Sequence, residues 1–272
     1  SGQLSMAKAL ARSRDERVVE AAARLASLGS LVSDSDMPRY RNWLKKLFGA
    51  KARALGFRTG ARDSASKKKL RSSLLSLMIF QVEDASLRKQ GQNLAKKWLV
   101  DPAKADPDLS ELALKTAARW GDEALVDQLV SFLKGSSDRS RRRMVFAALG
   151  SLADDALADK ALALMLDEEI DVRESQRLLF ALAGSRSQGH RTFEFVQTNI
   201  DALQGRFGDE MGTRLARVAS AQCNPDHAAA YKAFLDEHIR PLDGGTRAAD
   251  QAQEKIDLCL AAKAELRLPE AL

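Results

Sequence analysis

The chain is 272 residues long, with 43 Lys and Arg against 37 Asp and Glu, a net charge of +6, only 6 Pro and 6% aromatic residues. That length is enough for a sizeable core in one or two domains. No apolar run approaches the roughly 18 residues that a membrane-crossing helix needs, and no stretch shows the Val/Ile/Thr-rich alternation of a strand.

Apolar residues recur at helical spacing from one end to the other. Val18, Ala22 and Leu25 begin the series, followed by Leu70, Leu74, Leu77 and Met78. A turn at Asp101-Pro102 and Asp106-Pro107 follows a helix that ends near Val100. Another helix runs through Trp120 to Gly121, and Asp122 is placed to cap the next, which carries Leu125, Leu129, Phe132 and Leu133. Gly135-Ser136-Ser137-Asp138 separates that helix from one bearing Val145, Leu149 and Leu152. Asp154 and Asp155 are candidate caps for a helix with Ala158, Ala161, Leu162, Met165 and Leu166. Phe193, Val196 and Ile200 form a further apolar stripe. Asn224-Pro225-Asp226 opens the next element. Asp243-Gly244-Gly245-Thr246 precedes a last long helix with Ala249, Ala252, Ile256 and Leu260. Short loops between helices of this length favour antiparallel pairs. The expected architecture is therefore all-α: one domain over residues 1–272, built of irregular HEAT-like helix-pair repeats stacked into a curved α-α superhelix with one concave face.

Charge is unevenly spread. Between Arg39 and Arg71 there are twelve Lys or Arg and one acid, Asp63, so this block alone is +11 and the remainder of the chain −5. Such a block is either a solvated outer face or a surface that seeks an anionic partner. Tyr40, Trp43, Phe48 and Phe57 lie within it. Aromatics beside cations fit single-stranded nucleic acid, but these also fall at core spacing on a helix.

Hydrolytic machinery is not visible. The three histidines, His190, His227 and His238, have no histidine partner at i+4, so the H-E-x-x-H pattern of a zinc hydrolase is missing. There is no G-x-S-x-G elbow, phosphate-binding loop or dinucleotide fingerprint. The Gly184–Gly189 loop, with Arg186 and nearby Arg191, resembles no phosphate cradle. Asp154/Asp155 and Glu168/Glu169 stand at helix ends, where carboxylates act as caps and dipole partners. Cys223 and Cys259 fit no metal spacing and no disulfide framework, and are expected to act as small hydrophobes. The chain opens on Ser1-Gly2-Gln3 and not on Met, as expected of a trimmed chain, so the missing secretory signal says little about the parent or its compartment.

Several segments carry a family resemblance. In the second half these are Arg142-Arg143-Met144-Val145-Phe146-Ala147-Ala148-Leu149, Asp155-Ala156-Leu157 and Ala161-Leu162-Ala163-Leu164-Met165-Leu166-Asp167. They continue with Ile170-Asp171-Val172-Arg173-Glu174-Ser175-Gln176, Gly189-His190-Arg191-Thr192-Phe193-Glu194-Phe195-Val196-Gln197-Thr198-Asn199 and Gly245-Thr246-Arg247-Ala248, with Gln251-Ala252-Gln253-Glu254-Lys255 after it. In the first half, Tyr40-Arg41-Asn42-Trp43-Leu44 with Leu55-Gly56-Phe57, and Asn93-Leu94-Ala95-Lys96-Lys97-Trp98-Leu99 with the Gly121-Asp122 turn, fit the same pattern. In order and spacing these resemble the C-terminal helical domain of the zinc aminopeptidases related to aminopeptidase N and the endoplasmic-reticulum aminopeptidases.

The resemblance implies a non-catalytic domain. In that family an upstream metallopeptidase domain holds the zinc and binds the free amino end of the peptide. The C-terminal domain is a bowl of HEAT-like helices that closes over the catalytic domain and encloses a peptide chamber. The implied partners are the catalytic domain of the same polypeptide and peptide substrates. The implied cofactor is zinc, in the parent's catalytic domain and not in this chain. The chain alone is then no enzyme, while its parent removes N-terminal residues from peptides. No catalytic or metal residue carries over. One substrate-binding candidate does: Arg173 matches the arginine of a family Ile-Arg-x-Gln-Asp segment, although Ser175 and Gln176 depart from it. Its guanidinium has the planar fork that suits a peptide carbonyl or carboxylate; the structural alternative is that it binds carbonyls at a helix C-terminus. Phe193 and Ile200 stand where the family has tryptophans and are expected in the core.

Two other functions are compatible with the helices. The basic block suits a HEAT-like nucleic-acid-binding protein, but that reading rests on the charge pattern alone, and nucleic acid is not the expected partner. Any α-solenoid also suits a protein-interaction scaffold.

Overall fold

A computed structural model describes residues 2–208 and 212–268. All regular structure among them is helical, as the 3.6-residue periodicity requires. The chain divides into two compact units, Ser1–Ala117 with Glu265–Leu272, and Ala118–Ala264. The expected single-domain span of 1–272 includes residues 1, 209–211 and 269–272, which lie outside the described residues.

The first unit contains α1 (Gly2–Leu10), α2 (Glu16–Ala26), α3 (Met37–Leu55), α4 (Ala65–Phe80), α5 (Ala85–Val100) and most of α6 (Ser110–Arg119). Its helices pack in succession: α1 on α2, α3 on α4, and α2 beside α4. Side-chain oxygens start three of them by accepting backbone N–H groups that have no partner within the helix. Asp15 caps α2, Ser64 caps α4 and Asp84 caps α5. The helix α3 has Pro38 in its first turn, where no amide is needed, and stops at Gly56, whose φ of 53° suits glycine. The core is filled by Tyr40, Trp43, Leu44 and Phe48 of α3, by Leu70, Leu74, Leu75 and Met78 of α4, and by Trp98 of α5. The stripe on α2 is rotated from the expected one: Val19, Ala22, Ala23 and Ala26 are buried, while Val18 and Leu25 lie at its margin. Three alanines on that stripe allow close helix approach to α1 and α4, which the larger residues would hinder.

Tyr40 shows how the loops are fixed. Its hydroxyl donates to the Ala26 carbonyl and accepts from the Leu28 amide at 2.7 Å, tying the α2–α3 connection to the core. Burial pushes the Tyr40 pKa up to about 12.

The second unit contains α7 (Glu123–Gly135), α8 (Arg139–Leu149), α9 (Asp155–Leu162), α10 (Val172–Ala183), α11 (Gly189–Thr198), α12 (Ile200–Phe207), the short α13 (Ala216–Ser220), α14 (Ala228–Phe234) and all but the last residue of α15 (Gly245–Glu265). Pairs recur here too: α7 with α8, α9 with α10, α11 with α13. The second members, α8, α10 and α13, lie side by side. Asp122, Asp138, Asp154 and Asp171 each accept a first-turn amide and start α7, α8, α9 and α10. Of the two candidate caps before α9, Asp154 is the cap, and Asp155 instead meets Arg191 and Gln188. Packing between α8 and α10 is close enough that a Cβ on Gly150 would lie 2.5 Å from the Ala181 Cβ. Phe193 and Ile200 are buried, Phe193 edge-on to Tyr231 at 4.8 Å and to Phe234 at 5.4 Å.

One expectation is corrected outright. Cys223 and Cys259 are not separate small hydrophobes but a disulfide, with Cα atoms 5.7 Å apart. Thirty-six residues separate them in sequence; α15 brings Cys259 back beside the segment that follows α13, which a scan for local spacing cannot detect.

Candidate functional site

The Arg173 candidate sits in the first turn of α10. Asp171 starts that helix by accepting the Arg173 amide at 2.8 Å. One side of α10 is fully engaged: Ser175, Leu178, Leu179 and Leu182 are buried. The side chains at i+3, i+4 and i+7 from Arg173 are therefore turned outward with it, and these are Gln176, Arg177 and Phe180. Arg173 is exposed and makes no side-chain ion pair among the described residues. A cation in the first helical turn lies at the positive end of the helix dipole, an arrangement unfavourable by roughly 0.3–1 kcal/mol. Local helix stability therefore does not explain its presence, and it is not bonded to helix C-terminal carbonyls.

Neighbouring elements add charge to the same face. The 3-10 turn Thr213–Leu215 and α13 carry Arg214 and Arg217, both exposed. Arg214 donates to the Gln176 side-chain oxygen at 3.2 Å, and the Arg217 guanidinium lies 4.4 Å from the centre of the Phe180 ring. Neither contact neutralises its charge, and the cation–π contact contributes about 0.5–1 kcal/mol at an exposed site. Arg173, Arg214 and Arg217 thus form a cationic face with one aromatic ring and one amide. The sequence signal for Gln176, Arg177 and Phe180 was their helical spacing from Arg173. Arg214 and Arg217 come from a separate element, so only tertiary packing brings them in.

Two other arginines of this unit perform the structural role considered for Arg173. Arg142 donates to the carbonyls of Leu133 and Ser136, at the end of α7, and to Glu174 at 2.7 Å. Arg206 donates to the carbonyls of Asp167 and Ile170, each at 2.8 Å. Cations at helix ends and turns of this kind satisfy orphan carbonyls.

The remaining candidate groups are occupied. Gln188, in the Gly184–Gly189 loop, is buried and donates to the Ala153 carbonyl at 2.7 Å, while Arg191 pairs with Asp155 and Asp159. Glu169 pairs with Lys134 at 2.8 Å. His190 and His227 stack face to face, ring centres 3.8 Å apart, and His190 lies 3.4 Å from Glu194. His238 neighbours Phe234 and Glu237. No group of three or more metal-ligating side chains occurs among the described residues, and no described helix is long and apolar enough to cross a membrane.

The basic block of the first unit is largely consumed internally. Seven of its twelve cations meet a carboxylate: Arg39–Asp36, Arg41–Glu83, Arg53–Asp84, Lys67–Asp63, Lys68–Asp108, Lys69–Glu20 and Arg71–Asp63. Five of the six acids lie outside the block; Asp36 precedes it by three residues, and the other four reach it through folding. Asp63 is held by Lys67, by the Gly60 amide and by Arg71, and these bonds hold its carboxyl well below the usual range. Tyr40, Trp43 and Phe48 are buried in the core and present no face for a base to stack on. A surface cleft beside α3 mixes Arg41, Lys45 and Arg53 with Glu83 and Asp84, which is not a cationic groove.

Most cations of the basic block thus meet a carboxylate, whereas Arg173, Arg214 and Arg217 of the second unit meet none among the described residues. Residues 1–258 match the model of the family described as ERAP1-like C-terminal domain. With all but fourteen of its 272 residues inside that match, the chain belongs to the ERAP1-like C-terminal domain family.

Proposed function

We propose that this chain is the non-catalytic C-terminal domain of a zinc-dependent aminopeptidase, which closes over the catalytic domain of the same polypeptide to form the peptide chamber and limit access to it. The family match over residues 1–258 is the observation that carries this reading. The zinc and its ligands belong to the parent's catalytic domain. HEAT-like stacking supplies the concave wall, and the side-by-side arrangement of α8, α10 and α13 is compatible with it.

Within that wall, Arg173 is the substrate contact, assisted by Arg177, Arg214, Arg217 and Phe180. The support is physical: an exposed arginine without an ion pair, at the unfavourable end of a helix, among further cations. Its planar fork accommodates two oxygens of a peptide carbonyl or carboxylate.

The test is a reconstitution. A separately produced catalytic domain is assayed on peptides of increasing length with and without this chain. The ratio of long-peptide to short-peptide cleavage should change on addition. An unchanged ratio despite demonstrated association overturns the chamber role, as does peptide cleavage by this chain alone.

A further inference from the structure

The last helix is held unevenly along its length. Over Gly245–Glu265 its buried residues are Gly245, Ala249, Ala252 and Ile256, a narrow stripe of mostly small side chains confined to its first twelve positions. That half has an additional tie, Arg240 to Asp250 at 2.8 Å. From Asp257 to Glu265 no residue is buried, and Leu258 is 63% exposed. Apolar burial therefore does not hold the second half.

Among the described residues, two side-chain contacts tie it to the preceding segment, and both converge on Cys223: the disulfide to Cys259 and the bond from Lys263 Nζ to the Cys223 carbonyl at 3.1 Å. The anchor itself is firm. The adjacent Gln222 is buried and donates to the Ala183 carbonyl at 2.8 Å, at the end of α10. Both cysteines are half-buried and not sealed in the core. Cys259 lies one residue past the family-matched segment.

We propose that Cys223–Cys259 is a thiol-exchange site that clamps the C-terminal half of α15, and that a dithiol reductant releases that half while the rest of the unit stays folded. A thiolate of the dithiol attacks one sulfur of the pair, the S–S bond breaks, and the other cysteine leaves as a thiolate. The second thiol of the reductant then attacks the mixed disulfide. Two electrons and two protons pass to the protein, giving two cysteine thiols and one oxidised dithiol. Local opening of a weakly packed segment without global unfolding is ordinary behaviour for such elements.

The experiment uses the whole chain, purified in air and then treated with dithiothreitol. Thiol titration should find no reactive cysteine before treatment and two after it. Amide exchange read by mass spectrometry should accelerate on the order of tenfold or more in residues 257–265, while α8 and α10 keep their protection. Cys259→Ser should show the fast exchange without reductant and no further response to it. Two reactive thiols in the air-purified protein overturn the proposal. So does unchanged exchange over 257–265 after reduction, or loss of protection throughout the unit. Because wild-type protein is reduced in place, the result stands even if the variant folds poorly.

Discussion

The basic block of the first unit and the arginine face of α10 in the second are both cationic in sequence, yet folding treats them oppositely. In the block, carboxylates from α2, from the α4–α5 connection and from the segment before α6 reach four of the twelve charges, and the nearby Asp36 and Asp63 take three more. On the α10 face, Arg214 meets a neutral amide, Arg217 a ring, and Arg173 no carboxylate among the described residues. A local count of charge therefore does not tell which cations the fold pairs with carboxylates. Available anionic capacity depends on what the rest of the chain brings, and neutralised pairs on a surface contribute little to long-range attraction.

The contrast is broken most directly at Arg71, which is 3% exposed and bound to Asp63 and the Leu55 carbonyl. Arg71→Ala should lower unfolding free energy by about 3 kcal/mol, from lost packing and a broken buried network, measured by urea denaturation. Next comes Arg142→Ala, which strips two carbonyls and Glu174 of their partner. About 1–3 kcal/mol of destabilisation is expected, read in the same way.

A pH titration sharpens the comparison. The Asp63 pKa is depressed in the folded state, below the ~3.9 of an unfolded aspartate. Its contribution is therefore full above about pH 4 and is lost as pH falls toward the folded value. Asp63→Asn should lower the thermal midpoint at pH 7, and the gap to wild type should narrow as the pH is taken below about 4. A constant gap across that range would show that the block is not held by this carboxylate.

The smallest effect on stability belongs to the α10 face. Arg173→Ala should change unfolding free energy by no more than about 0.5 kcal/mol. In the reconstituted aminopeptidase it should raise KM for long peptides about tenfold, the loss of one charge-assisted hydrogen bond. A large stability loss with no change in KM would assign Arg173 to the scaffold.

The comparison also separates what was legible from what was not. Asp122 was readable as a helix start, and Asp154 as one of two candidates with Asp155, because a cap acts on amides two or three residues away. Leu70, Leu74, Leu77 and Met78 were readable as core because their spacing matches one helix face. Arg173 was readable as a candidate, and its companions Arg177 and Phe180 follow from helical geometry. Arg214 and Arg217 were not, nor was the stacking of His190 on His227.

Sequence by itself determined the helices, most of their ends, the buried stripes and the family, since each rests on residues a few positions apart or on their order along the chain. Tertiary structure alone decided three things: which cations are neutralised, which arginines share a face, and that Cys223 meets Cys259. Apart from local pairs such as Lys67 with Asp63, these depend on groups tens of residues apart in the chain, whose distance is set by how helices pack and not by any local propensity.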